Sequence, residues 1–85
     1  MRGNNLSDFE RRAITERIRG VRRRHQDAGI SGQTMILCDS CRKVKPLLGA
    51  VCYSHFRLCN DCALDFELAK AAGDIKSIED FILPR

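Results

Sequence analysis

Tryptophan is missing from this 85-residue chain, and aromatic residues are few: Phe9, Tyr53, Phe56, Phe66 and Phe81 are the only large rings available to a core. The apolar fraction is an ordinary 44%. A chain of this length is one domain at most, at a size where hydrophobic burial alone is marginal. No apolar run approaches the roughly 18 residues that a membrane span needs. The opening MRGNNLSDFERR also lacks the roughly 7–15 apolar residues of a secretion signal. A reducing setting is therefore expected, cytoplasmic and nucleoid-associated, or nuclear in a eukaryote. Catalytic constellations are scarce as well. There is no Ser/His/Asp set, no phosphate-cradling loop and no pair of carboxylates, so an enzyme is not expected. Lysine is absent before residue 43, and the first half of the chain draws its positive charge from arginine alone.

Cysteine is what the chain has in quantity. Five of them in 85 residues make an odd number, which suits a secreted disulfide scaffold poorly. Four fall into two Cys-x-x-Cys pairs, Cys38/Cys41 and Cys59/Cys62, with 17 residues between the pairs. Zinc takes four tetrahedral ligands at about 2.3 Å from sulfur, and each such turn offers two thiolates to one ion. One structural Zn2+ held by Cys38, Cys41, Cys59 and Cys62 is the expected cofactor, with iron in the same cage left open. A redox pair of the thioredoxin kind needs a βαβ context that this length does not provide. Cys52 and His55, in CYSH, form a third pair that can replace one of the four. Otherwise Cys52 is expected to be a small buried apolar residue and His55 a partly exposed one.

Helix signals flank the cysteines. Ser7-Asp8-Phe9-Glu10 reads as a capping box, opening a helix over about 7–26. At 100° per residue, Leu6, Phe9, Ala13, Ile14, Ile18 and Val21 share one half of the wheel. Arg11, Arg12, Arg19, Arg22 and Arg23 occupy the other. Arg17 and Arg24 fall in the apolar half, so the buried stripe must be narrow or their stems must snorkel. Gly29 is positioned to end the helix and Gly73 to end a second one that starts near Cys59. The stretch VKPLLGAVCYSHFRL suits short strands or a hairpin. Ser77 can cap a last short helix bearing Ile78, Phe81 and Ile82 on one face, which packs on the Cys59 helix or forms a dimer or partner patch.

The spacing of the four cysteines, with a helix starting at the second pair, resembles treble-clef zinc fingers. Leu58-Cys59-Asn60-Asp61-Cys62 is similar to the segment preceding the helix of GATA-type fingers. The tryptophan and arginines of that family are missing from KPLLGA, however, and the C-terminus is acidic. The DksA/TraR family shares the spacing and the preceding helical segment. Arg42 stands here where that family has glycine, and Asp8 and Glu10 lie near the end that corresponds to its acidic tip. ClpX-type zinc modules, which dimerise and bind adaptors, look like a more distant relative. The resemblance implies a small α+β zinc-stabilised domain, a treble-clef finger of knuckle, short β-hairpin and helix. A basic amphipathic helix with a glycine-containing linker (1–34) precedes the finger, and a short C-terminal helix closes it (35–85).

Two functions follow as expectations. Residues 1–34 carry eight arginines against four acidic residues, and 35–62 four basic against two acidic. That is the footprint of a phosphate-rich or acidic partner. The first expectation is a transcription regulator that binds nucleic acid through Arg11, Arg12, Arg19, Arg22, Arg23, Arg42, Lys43 and Arg57. The second is a protein-interaction module, either an RNA polymerase-binding regulator of the DksA/TraR kind or an adaptor that forms a homodimer.

Overall fold

The computed structural model describes residues 6–83. Arg2, counted in the charge balance of residues 1–34, lies outside the described residues. The first helix, α1 (Asp8–Asp27), starts as expected. The Ser7 hydroxyl accepts from the Glu10 N–H at 3.1 Å, and the Glu10 carboxylate accepts from the Ser7 N–H at 2.9 Å. Gly29, at φ 86°, ends it: Ile30 N–H reaches the His25 carbonyl and Gly29 N–H reaches Gln26. These are the two bonds of a Schellman stop.

The apolar stripe of α1 is narrower than its hydropathy implies. Ile18 is buried and Ile14 and Val21 are half-buried, but Ala13 is exposed and Phe9 is 80% exposed. At about 1.5 Å per residue, α1 is about 30 Å long, and only its middle meets the next long helix. Arg17, which the wheel places among apolar residues, keeps its head at the surface, where Nη2 meets Glu67 Oε1 at 3.0 Å.

Two antiparallel hairpins follow, where one was expected. Strands β1 (Met35–Leu37) and β2 (Val44–Pro46) pair around the first two cysteines, and β3 (Val51–Tyr53) pairs with β4 (Phe56–Leu58). Strands of three residues are too short to reveal alternation, and so the first hairpin is not evident from hydropathy. Between the hairpins, Leu47–Ala50 forms a turn with Gly49 at φ 87° and Ala50 N–H on the Leu47 carbonyl. A positive φ at that position calls for glycine. Helix α2 (Asn60–Ala71) leaves β4 almost directly and ends in a second Schellman stop at Gly73. The last helix, α3 (Ile78–Ile82), is capped by Ser77, whose hydroxyl accepts from the Asp80 N–H.

A single core joins these elements. Ile18, Cys38, Leu58, Cys59, Ala63, Leu64, Phe66 and Ile78 form one buried cluster, drawn from both ends of the chain. The Phe66 ring meets Tyr53 at 4.7 Å and Phe81 at 5.5 Å between centroids, edge to face in both cases. Phe81 and Ile82 therefore lie against α2. Tyr53 donates its hydroxyl to Glu67 Oε2 at 2.6 Å, so Glu67 ties α1, α2 and β3 together. Burial, and then the Glu67 carboxylate, push the Tyr53 phenol well above its ordinary range. No helix among the described residues is long and apolar enough to cross a membrane.

Candidate metal centre

The β1–β2 turn carries Cys38 and Cys41, and the start of α2 carries Cys59 and Cys62. Local bonds shape the turn. Cys38 N–H donates to the Lys43 carbonyl at 3.0 Å, and Arg42 N–H to the Cys38 carbonyl at 2.9 Å. Arg42 sits at φ 62°, a left-handed conformation that is costly for a side chain other than glycine. Asp39 then clamps this turn to β4: its N–H donates to the Arg57 carbonyl at 2.8 Å, and its Oδ2 accepts from the Arg57 N–H at 2.7 Å.

These contacts bring all four sulfurs within 4.8 Å of one another. Thiolates at about 2.3 Å from a tetrahedral ion lie about 3.8 Å apart, so the cluster fits one metal ion. Cys38 and Cys59 are buried, while Cys41 and Cys62 are half-buried. Cys38 Sγ accepts three backbone N–H groups: Cys59 at 3.3 Å, Ser40 at 3.4 Å and Cys41 at 3.5 Å. Burial raises the Cys38 thiol, but those N–H groups together outweigh it and bring it down to about 6. Burial raises Cys59 and Cys62, and the negative charge of Cys38 beside them adds to it. One charge among four close sulfurs opposes the next, and a divalent cation removes that opposition. A closed set of four thiolates around one ion would leave no open position for a substrate or a reactive water.

Neither member of the third pair joins the cluster. Cys52 lies in β3 opposite Arg57, and strand alternation turns it outward between half-buried Val51 and Tyr53. The expectation that Cys52 is buried is thus corrected. His55, in the β3–β4 turn, is exposed too.

The eight basic residues singled out from the sequence are all exposed. They are not equivalent. Arg19 Nη1 donates to Asn60 Oδ1 at 2.6 Å and to Asp61 Oδ1 at 2.7 Å, so part of its donor set is used inside the fold. The hydrogen bond from Arg19 holds the Asp61 carboxyl below its ordinary range. Arg42 and Lys43 close the first hairpin, and Arg57 lies in β4. Arg11, Arg12 and Arg23 are exposed along α1, and Arg22 is exposed where α1 borders the first hairpin.

Sequence reasoning missed Asn60. It lies between two cysteines of the cluster, and its Nδ2 donates to the Ile18 carbonyl at 2.8 Å and to the Gly49 carbonyl at 2.9 Å. Gly49 N–H in turn donates to His25 Nδ1 at 3.1 Å. One amide thus ties the cysteine cluster to α1 and to the inter-hairpin turn. Asn60→Ala removes both of these bonds, and a loss of about 1–3 kcal/mol is expected with metal content unchanged. Denaturant unfolding of the metal-loaded protein, beside its metal stoichiometry, checks this. Gly49→Ala should be at least as damaging, because a Cβ there would lie 3.0 Å from Asn60 Nδ2 on a backbone of positive φ.

No protein-family profile, curated protein or solved structure matches this chain. Fold and site define a class: among the described residues, a small α+β domain of two hairpins and three helices, built around a four-cysteine cluster suited to a metal ion.

Proposed function

We propose that this chain is a treble-clef zinc protein that regulates transcription by binding nucleic acid, with one structural Zn2+ on Cys38, Cys41, Cys59 and Cys62. The β1–β2 turn serves as the knuckle of the clef, and β3, β4 and α2 serve as its hairpin and helix. The metal maintains the fold and the protein is not an enzyme. The observation that carries the reading is the cleft where α1 meets the cysteine region, whose rim bears Arg19 and Arg22 of α1 beside Lys45 of β2. There two arginines of α1 meet one lysine of the first hairpin, which supports a positive surface shared by both elements. Arginine on such a surface suits phosphate and guanine contacts.

Fluorescence anisotropy with a labelled DNA duplex and an RNA strand tests the reading across salt concentrations. If about four phosphates are neutralised, affinity should fall roughly 100-fold between about 50 and 200 mM salt. Binding that does not change with salt overturns it.

A second reading, a protein-interaction module of the DksA/TraR kind, draws on a different face. Met35, Leu37 and Val44 are each about half exposed or more. Leu37 stands directly across from Val44, so the three share the outer side of the first hairpin. Contiguous exposed apolar side chains of this kind mark contact surfaces. Under this reading, Leu37→Asp abolishes partner binding, whereas Arg22→Ala does not.

A further inference from the structure

The cleft between α1 and the first hairpin has more structure than a surface charge requires. It encloses about 110 Å³, lined by Arg19, Arg22, Lys45, Pro46, Leu48, Cys59, Asn60 and Asp61. A single water needs about 10–15 Å³ measured in the same way, so the space admits a small oxyanion. Its walls are fixed. Leu48 is buried, and Asn60 is anchored to Ile18 and Gly49. Asp61, the one carboxylate in the lining, is already engaged by Arg19 Nη1.

That engagement decides the sign of the cleft. Setting Cys59 aside, three cations against one carboxylate leave two positive charges in excess among the lining side chains. Neither Arg22 nor Lys45 forms an ion pair or side-chain hydrogen bond among the described residues; each is felt by Asp61 only through space. We propose that Arg22 and Lys45 hold one backbone phosphate of a nucleic acid strand in this cleft, with Arg19 keeping Asp61 from competing for them. Arg22 supplies a planar fork of donors and Lys45 a compact charge, and together they grip the phosphate oxygens from α1 and β2. The subsite rests on the nucleic-acid reading above and gives it a point of contact. From there the remaining arginines of α1 run back about 16 Å along the helix axis to Arg11.

A rival role for the same cations lies nearby. A divalent ion in four thiolates carries two negative charges in all, and Cys59 lines the cleft. If Arg22 and Lys45 served only to offset that charge, removing them would loosen the metal and leave nucleic acid binding unchanged.

The experiment uses the full zinc-loaded chain with Lys45→Ala, Arg22→Ala and the double variant. Anisotropy with the labelled duplex across salt is read beside zinc release to a chromogenic chelator, and thermal melting confirms the fold of each variant. Because both cations grip one phosphate, each single variant should weaken binding about tenfold and flatten the log–log salt slope by about 0.9. The double variant should flatten it by little more than either single change, and zinc release should stay at the wild-type rate. Slope losses that simply add in the double variant overturn the shared phosphate. Unchanged duplex binding in all three overturns the subsite while the nucleic-acid reading stands, and faster zinc release in those variants assigns the cations to the metal. A wild-type chain that binds neither the duplex nor the RNA strand overturns both. Inorganic phosphate, titrated with NMR detection of the Arg22 and Lys45 amides, separates the sources. Shifts at these residues in the wild type, with duplex affinity unaffected by Lys45→Ala, would make this a site for free phosphate and overturn the proposal.

Discussion

Removing a metal from the four-cysteine cluster should unfold the domain, and Cys59→Ser should do the same. Chelation of the metal-loaded protein under reducing conditions should abolish its cooperative thermal transition and most of its helical circular dichroism. The reason lies in what the core contains. Cys38 and Cys59 are 0% and 3% exposed, and they belong to the same buried cluster as Ile18, Leu58 and Phe66. An ion at this cluster would therefore not decorate a finished core; the cysteines that would hold it are part of that core. Binding at a structural site of this kind is worth on the order of 10 kcal/mol, comparable to the whole stability of a small domain. The loss also spreads. Asn60, beside Cys59, carries the bonds to Ile18 and Gly49, so collapse of the cluster releases α1. Native mass spectrometry should find one zinc per chain in the wild type and in Cys52→Ser, whose thiol lies outside the cluster. A reduced, metal-free chain with the same melting transition would sink the assignment.

Phe66→Ala is expected to cost about 3–5 kcal/mol even with metal bound, the usual range for emptying a large aromatic from a core. Phe66 is 2% exposed and is the largest fully buried side chain. Its ring is the middle member of a stack that joins β3 through Tyr53 and α3 through Phe81. Truncation removes both edge-to-face contacts together with the burial itself. It should also free α3, which at five residues has little stability of its own. Denaturant unfolding of the zinc-loaded variant gives the first quantity. Hydrogen exchange at residues 78–82 gives the second, with fast exchange expected under conditions where α2 stays protected. A loss below about 1 kcal/mol would mean that the core can close over the gap.

The parts that local chemistry dictates were legible from the residues. Two Cys-x-x-Cys turns announce a shared ligand shell wherever the chain carries them, and the four sulfurs do converge. The Ser7–Glu10 box and the glycines at 29 and 73 define helix ends through bonds spanning only a few residues. Hydropathy failed where burial depends on a distant partner. Phe9 lies on the correct face of the α1 wheel yet stays in solvent, because α2 covers only the middle of that helix. Cys52 looks like a core residue by type, and the pleat of β3 turns it outward.

The sequence by itself determined which four cysteines cluster, the ends of the helices and the concentration of arginine on one face of α1, since each is set by spacing along the chain. Only the tertiary structure decided which arginines of α1 remain available. Arg17 is paired with Glu67, 50 positions away, and Arg19 with Asp61, 42 positions away. Arg22 is left beside Lys45 across a cleft that neither segment contains alone. Ion pairing and shape depend on distance in space, and residues so far apart along the chain acquire a distance only when it folds.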